Sequence, residues 1–244
     1  MNAVPLSVLD LEKSYGRKRV LRGFSLEARP GTVTAILGSN GSGKSTFMRC
    51  LLGLHVFKTG SIRVMGDDVR KGPDYRKHIG YMPQYPGFPE NLTVREIAKL
   101  VSQVRKITPD FKRGGEMGVD GFLDQKWKTL SGGMKQKVNA TLAVAFDAPI
   151  LVLDEPTASL DPASRLKLVD LLKRERGQGK CILLSTHMLG DLWELADTLA
   201  FLREGKVHAV PAKDMPGMGT DIGLFERSVA AGLEAPAEGP AGKP

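Results

Sequence analysis

The stretch TVTAILGSNGSGKSTFMRCLLG, residues 32–53, passes from an apolar segment through a glycine-rich loop into a second apolar segment. Its centre, Gly38-Ser39-Asn40-Gly41-Ser42-Gly43-Lys44-Ser45-Thr46, is a Gly, four free positions, then Gly-Lys-Ser. TVTAIL before it predicts a buried strand, and TFMRCLLG after it predicts a helix. In that setting the glycines let successive backbone N–H groups turn inward around a polyphosphate. Lys44 sets a cation on the outer phosphates, and the Ser45 hydroxyl can coordinate Mg²⁺. The loop therefore predicts a nucleoside triphosphate site.

A second stretch, ILVLDEP (Ile150–Pro156), predicts four buried strand residues ending abruptly in two acids. Two adjacent carboxylates are expensive to hold beside a core unless a metal or substrate uses them. Asp154 at the strand end is placed to hold the Mg²⁺ shell, and Glu155 to reach an attacking water.

Working outward, SIRVMG, HIGYMP, CILLSTH and LAFLREGKVHAV read as further strands, and ASRLKLVDLLKRERGQG as a helix ending at Gly after basic residues. Strands alternating with helices predict an α/β fold with a mostly parallel sheet covered on both faces. The segment from about Tyr85 to Phe146 breaks this rhythm, because LTVREIAKLVSQVRK and MKQKVNATLAVAF have helical spacing with no strong strand between them. It reads as an α-helical insertion. The closing EAPAEGPAGKP has nothing large to bury, which predicts disorder from about 232.

The 244 residues carry 41% hydrophobic and 25% charged residues, an ordinary globular composition. The N-terminus shows no basic and apolar leader, and no run approaches the roughly 18 apolar residues of a membrane span, so a cytoplasmic chain is expected. Cys50 and Cys181 lie in apolar surroundings without metal-ligand spacing and read as reduced, buried thiols. The net charge of +8 is spread thinly and reads mainly as solvated surface.

LSGGMKQ (Leu130–Gln136) predicts a second phosphate-binding helix start, since Ser and Gly leave backbone N–H groups open at the positive end of a helix dipole. The order of the phosphate loop, LSGGMKQ, LDEPTASLDP and STH resembles the ATP-binding cassette (ABC) ATPases over about residues 7–208. The resemblance implies a P-loop NTPase fold: a RecA-like core with an antiparallel β subdomain, plus an inserted α-helical subdomain. The expected divisions are 1–84 with 147–210 as the ATP-binding core, 85–146 as the helical subdomain carrying the signature, and 211–244 as a C-terminal extension.

The family implies ATP and Mg²⁺ as ligands and a head-to-tail dimer. In that dimer Ser131, Gly132 and Gly133 of one copy cover the ATP held by the loop of the other. Tyr15 in KSYGRKRVL matches the family's adenine-stacking aromatic. Gln84 in YMPQ matches the residue that touches metal and water, Asp161 in SLDP the residue that reads the opposite site, and His187 in STH the γ-phosphate switch. The resemblance also implies a separate transmembrane permease docking near Gln84 to Val94, where Tyr85 and Phe88 look exposed, and a peripheral location on the inner face of the cell membrane.

IGYMPQ, FPENLTVRE and LSGGMKQKVNATLA are similar to the ATP-binding subunits of transporters that support copper-site maturation of nitrous oxide reductase (NosF-type). The alternative is a non-transport ABC ATPase acting on nucleic acid or ribosomes. One cassette, two cysteines and no sustained heptads weigh against it, so no nucleic-acid partner is expected. A GTPase would leave LSGGMKQ unexplained and lacks an NKxD-like motif. Cargo, transport direction, and identical versus paralogous dimer partners stay open.

Overall fold

The structure is a computed structural model and describes residues 4–186 and 189–234. In chain order its elements are β1 (Leu6–Tyr15), β2 (Lys18–Ala28), β3 (Val33–Leu37), α1 (Lys44–Leu51), β4 (Thr59–Val64), β5 (Asp67–Asp68), β6 (Ile79–Met82), α2 (Val94–Arg105) and α3 (Gly132–Val144). They continue as β7 (Ile150–Asp154), α4 (Pro162–Gly177), β8 (Cys181–Ser185), α5 (Leu189–Leu195), β9 (Thr198–Arg203), β10 (Lys206–Pro211) and α6 (Ile222–Glu234).

Six strands form one sheet in the order β10-β9-β3-β8-β7-β6, parallel throughout except for the β9–β10 hairpin. That hairpin turns at Glu204-Gly205, both at positive φ, as a two-residue hairpin turn matching the strand twist requires. The central strands are buried on both faces, which explains their unbroken apolar runs. Val33, Ala35, Leu37, Leu151, Leu153, Ile182 and Leu184 face a core shared with α2, α3, α4 and α6, while Ile36, Ile150, Val152, Cys181 and Leu183 face α1 and the second sheet.

The second sheet, β2-β1-β4-β5, is antiparallel. Strand reading of the residues missed β1 and β2. Their solvent faces are dense in charge, and bulges between Val8 and Leu11 interrupt the two-residue alternation. Phe24 of β2 stacks on Phe47 of α1 with centroids 4.4 Å apart, seating this sheet over the helix that follows the glycine-rich loop.

Residues 85–146 contain α2, α3 and short 3-10 turns between them. Helix α2 starts in a reciprocal cap: the Glu96 N–H donates to Thr93 Oγ1, and the Thr93 N–H donates to Glu96 Oε2 at 2.8 Å. A buried ion-pair group ties this insertion to the core. Lys180 Nζ lies 2.6 Å from Glu175 and 2.9 Å from Asp147, and Arg113 and Arg174 flank Glu175 at 3.8 and 3.5 Å.

One expectation needs correction. Phe88 is not an exposed docking residue; it packs edge-on against Trp127 at 5.1 Å, because the 3-10 turn at Trp127–Thr129 brings an indole beneath it. The C-terminal extension is helical through Glu234, and the tail expected to be disordered from about 232 falls almost wholly outside the described residues. Phe225 and Val229 of α6 are fully buried, Trp193 meets Phe225 edge-on at 5.5 Å, and Gly232 sits so close to Phe201 that a Cβ would come within 2.8 Å of the ring. Residues 235–244 lie outside the described residues.

Candidate active site

The register of the parallel sheet brings the candidate residues together. Ile36, Asp154 and Ser185 lie side by side across β3, β7 and β8, so the chain leaves all three strands at the same sheet edge. A cleft of about 330 Å³ opens there, lined by Tyr15, Lys18, Val20, Ser39–Thr46, Gln84, Asp154 and Glu155.

The phosphate loop is shaped by close approach. A Cβ on Gly38 would sit 2.4 Å from Ser42 Oγ and 2.7 Å from the Leu202 carbonyl, so only glycine fits. Gly43 precedes α1 at φ 118°, a conformation that suits glycine alone, and no side chain caps the helix. The first-turn N–H groups of α1 are thereby available to an anion. Lys44 Nζ bridges the loop, donating to the Gly38 carbonyl at 2.5 Å and the Ser39 carbonyl at 3.3 Å. Burial lowers its pKa, and the nearby Glu155 and Asp154 charges oppose that shift.

The two acids diverge because Glu155 takes a left-handed backbone, φ 49°, unusual for a non-glycine residue and common where function stores strain. Each is 8% exposed. Ser185, which the sequence reading did not single out, organises both: its hydroxyl donates to Asp154 Oδ1 at 2.5 Å and accepts the Glu155 N–H at 3.2 Å. The only advance signal was its place in STH at the end of an apolar run.

Gln136 and Asn139, also not singled out, join motifs distant in sequence. Asn139 Nδ2 donates to the Pro83 carbonyl beside Gln84 at 2.8 Å, and Gln136 Nε2 donates to the Glu155 and Pro156 carbonyls at 3.4 and 3.5 Å. Polar side chains on an otherwise apolar helix face were the available clue. Asn139→Ala is expected to cost about 1 kcal/mol of stability, the penalty of leaving a part-buried carbonyl without its donor, measurable as a lowered denaturant midpoint. An unshifted midpoint would sink that account.

Ser131, Gly132 and Gly133 do not line this cleft. Ser131 caps α3, its Oγ accepting the Met134 N–H at 3.2 Å, and Ser131 and Gly132 are exposed. Asp161 also lies outside the cleft and caps α4. Its carboxylate accepts from the Ser164 N–H at 2.9 Å and from the Ser164 hydroxyl at 2.6 Å, which draw its pKa down to about 2. His187 lies outside the described residues.

The donors present fit a nucleotide with its cation. Open N–H groups and Lys44 suit a polyphosphate, and the hydroxyl of Ser45, the amide of Gln84 and the carboxylate of Asp154 are hard oxygen ligands of the kind Mg²⁺ takes. The Ser42 hydroxyl is buried without a hydrogen-bond partner among the described residues. Cys50 and Cys181, pushed up to about 11 and about 12 by burial, take no part.

The profile of the ABC transporter family matches residues 21–158, more than half of the chain. The chain is 33% identical over 205 residues to the Nod factor export ATP-binding protein I of Paraburkholderia xenovorans, covering 80% of this chain and 67% of that protein. It is 37% identical to the human ATP-binding cassette sub-family A member 10 over 79% of this chain and 13% of that protein. Among solved structures, an ATP-binding subunit of an ABC transporter superposes with a TM-score of 0.83 at 28% identity, covering 92% of this chain and 99% of that one. A cassette solved as a dimer with ADP and Pi matches with a TM-score of 0.74 at 23% identity, over 84% of this chain and 98% of that one. With the glycine-rich loop, the acid pair and the signature helix set on this fold, the chain belongs to the ABC transporter family as one of its ATP-binding, ATP-hydrolysing subunits.

Proposed function

We propose that the chain hydrolyses ATP in composite sites shared by two copies of itself and drives export through a separate membrane subunit. One observation carries the shared-site reading. The chain presents two helix starts suited to phosphate, and only one of them lines the cleft. That of α1 opens into the cleft with Lys44 and Glu155, while that of α3 is exposed away from it.

In this reading Tyr15 stacks on the adenine and Gly38–Thr46 wrap the phosphates. Ser45, Gln84 and Asp154 hold Mg²⁺, which when bound neutralises charge on the phosphate oxygens. Glu155 accepts the proton of the attacking water. Lys44 from one side and Ser131, Gly132 and Gly133 of the second copy from the other stabilise charge on the transferring group. Asp161 faces the opposite site while holding the start of α4, and His187 is assigned to the γ-phosphate by the family motif alone.

Mixing two disabled chains tests the arrangement. Lys44→Ala and Ser131→Arg should each be inactive alone. Together they should recover up to about a quarter of the natural rate, because half of randomly formed dimers are mixed and each carries one intact site. No recovery, with mixed dimers demonstrated, would overturn the shared site.

The relatives named for Nod factor export support the export direction, and the IGYMPQ, FPENLTVRE and LSGGMKQKVNATLA likeness supports the finer copper-maturation reading. Among the described residues no helix is long and apolar enough to cross a membrane, and the family resemblance assigns the pore to a separate permease. Tyr85, 83% exposed between Gln84 and Val94, marks the proposed permease contact and a location on the inner membrane face. Affinity purification from native membranes with ATP should recover a multi-span protein in equal amount. Recovery of ribosomes or nucleic acid instead would overturn the transport assignment.

A further inference from the structure

We infer that His55 is the residue that positions the Tyr15 ring for the nucleotide base, a role that rests on the reading of Tyr15 as the base platform. Tyr15 ends β1 and is 43% exposed on the cleft, where a phenol ring without a tether would sample several rotamers. It is tethered at its far end: the Tyr15 hydroxyl is hydrogen-bonded to His55 Nδ1, and the two rings meet edge-on with centroids 5.5 Å apart and planes at 76°.

Lys13, two residues back on the same strand, completes the clamp. Its ammonium lies 4.9 Å from the Tyr15 ring centroid and donates to the Val56 carbonyl at 2.6 Å. One ring face thus carries a cation, leaving the other for a base.

His55 is itself held by the phosphate-binding helix. The N–H groups of Leu54 and His55 donate to the Arg49 carbonyl in the last turn of α1, at 2.8 and 3.1 Å. The helix that presents Lys44 at its start therefore fixes His55 at its end, and the base and phosphate subsites hang from one rigid element. Burial, with Arg49 and Lys13 close by, pushes the His55 pKa down, which favours the neutral ring, whose Nδ1 accepts the phenol proton when Nε2 carries the hydrogen. An ordered ring binds a base without the ordering cost that a loose one incurs.

Steady-state ATPase kinetics, with binding of ATP and of inorganic tripolyphosphate measured alongside, test the inference. His55→Ala should raise the KM for ATP about fivefold, the worth of one net hydrogen bond, with kcat at saturation and tripolyphosphate affinity unchanged. Tyr15→Phe should match it, the double variant should be no worse than either, and His55→Asn, which restores an acceptor, should recover most of the loss. An unchanged KM in His55→Ala, or equal weakening of ATP and tripolyphosphate, overturns the assignment while leaving Tyr15 as platform. Tyr15→Ala isolates the other failure: undiminished ATP binding in that variant removes the platform reading itself.

Discussion

Glu155→Gln is expected to bind ATP as the natural chain does while turnover falls by about 10²–10⁴-fold, roughly 3–5 kcal/mol of barrier. The amide fills the same volume and leaves the phosphate loop, Lys44 and Tyr15 untouched, so the nucleotide loses none of its proposed contacts. What it cannot do is take a proton from water. The position fits that proposed step: it follows the last residue of β7, is nearly enclosed at 8% exposure, and has a left-handed φ of 49°, while the Asp154 carboxylate is held by Ser185. Because binding closes the proposed dimer and hydrolysis opens it, this variant should also accumulate as an ATP-dependent dimer. Phosphate release and size-exclusion chromatography with and without ATP measure both effects. Undiminished hydrolysis would remove Glu155 from the role of base.

The largest stability loss is expected away from the site. Glu175 is fully buried, with Lys180 at 2.6 Å and Arg174 and Arg113 at 3.5 and 3.8 Å, and Lys180 is only 5% exposed. Removing Glu175 takes the buried partner from Lys180, whose other partner, Asp147 at 2.9 Å, is largely exposed, so Glu175→Ala should cost up to about 3–5 kcal/mol. The group joins the 3-10 segment at Phe111–Met117 to the end of α4, so the loss falls on the attachment of the helical insertion. Replacing Glu175 and Lys180 together by Met should cost less than the sum of the single changes, since no charge of that pair is then left unpaired. Denaturant midpoints of the three variants decide it. A cost under about 1 kcal/mol for Glu175→Ala would show that water reaches the group.

Local chemistry made much of this protein legible from its residues. The buried strands β3, β6, β7 and β8 are largely apolar runs, as a sheet covered on both faces requires, α1 is preceded by Gly43, and α4 runs from its Asp161 cap to Gly177. The phosphate loop and the acid pair lie on contiguous residues, so their chemistry is visible wherever the chain places them. Strands β1 and β2 were hidden because bulges and exposed charge disrupt the alternation, and α6 because its burial depends on Trp193 and Phe201 far from it in sequence.

Sequence alone thus determined the ATPase family, the glycine-rich loop and the acid pair, since each is written in short contiguous motifs and in turns that only particular residues can make. Only the tertiary structure decided which distant groups meet. Ser185 joins Asp154 to the Glu155 backbone, Asn139 reaches Pro83, His55 holds Tyr15, and Phe88 folds onto Trp127. It also set the signature helix apart from the cleft of its own chain. Such pairings have no period and no fixed spacing. They arise from strand register and helix packing, in which a shift of one residue turns a side chain to the opposite face.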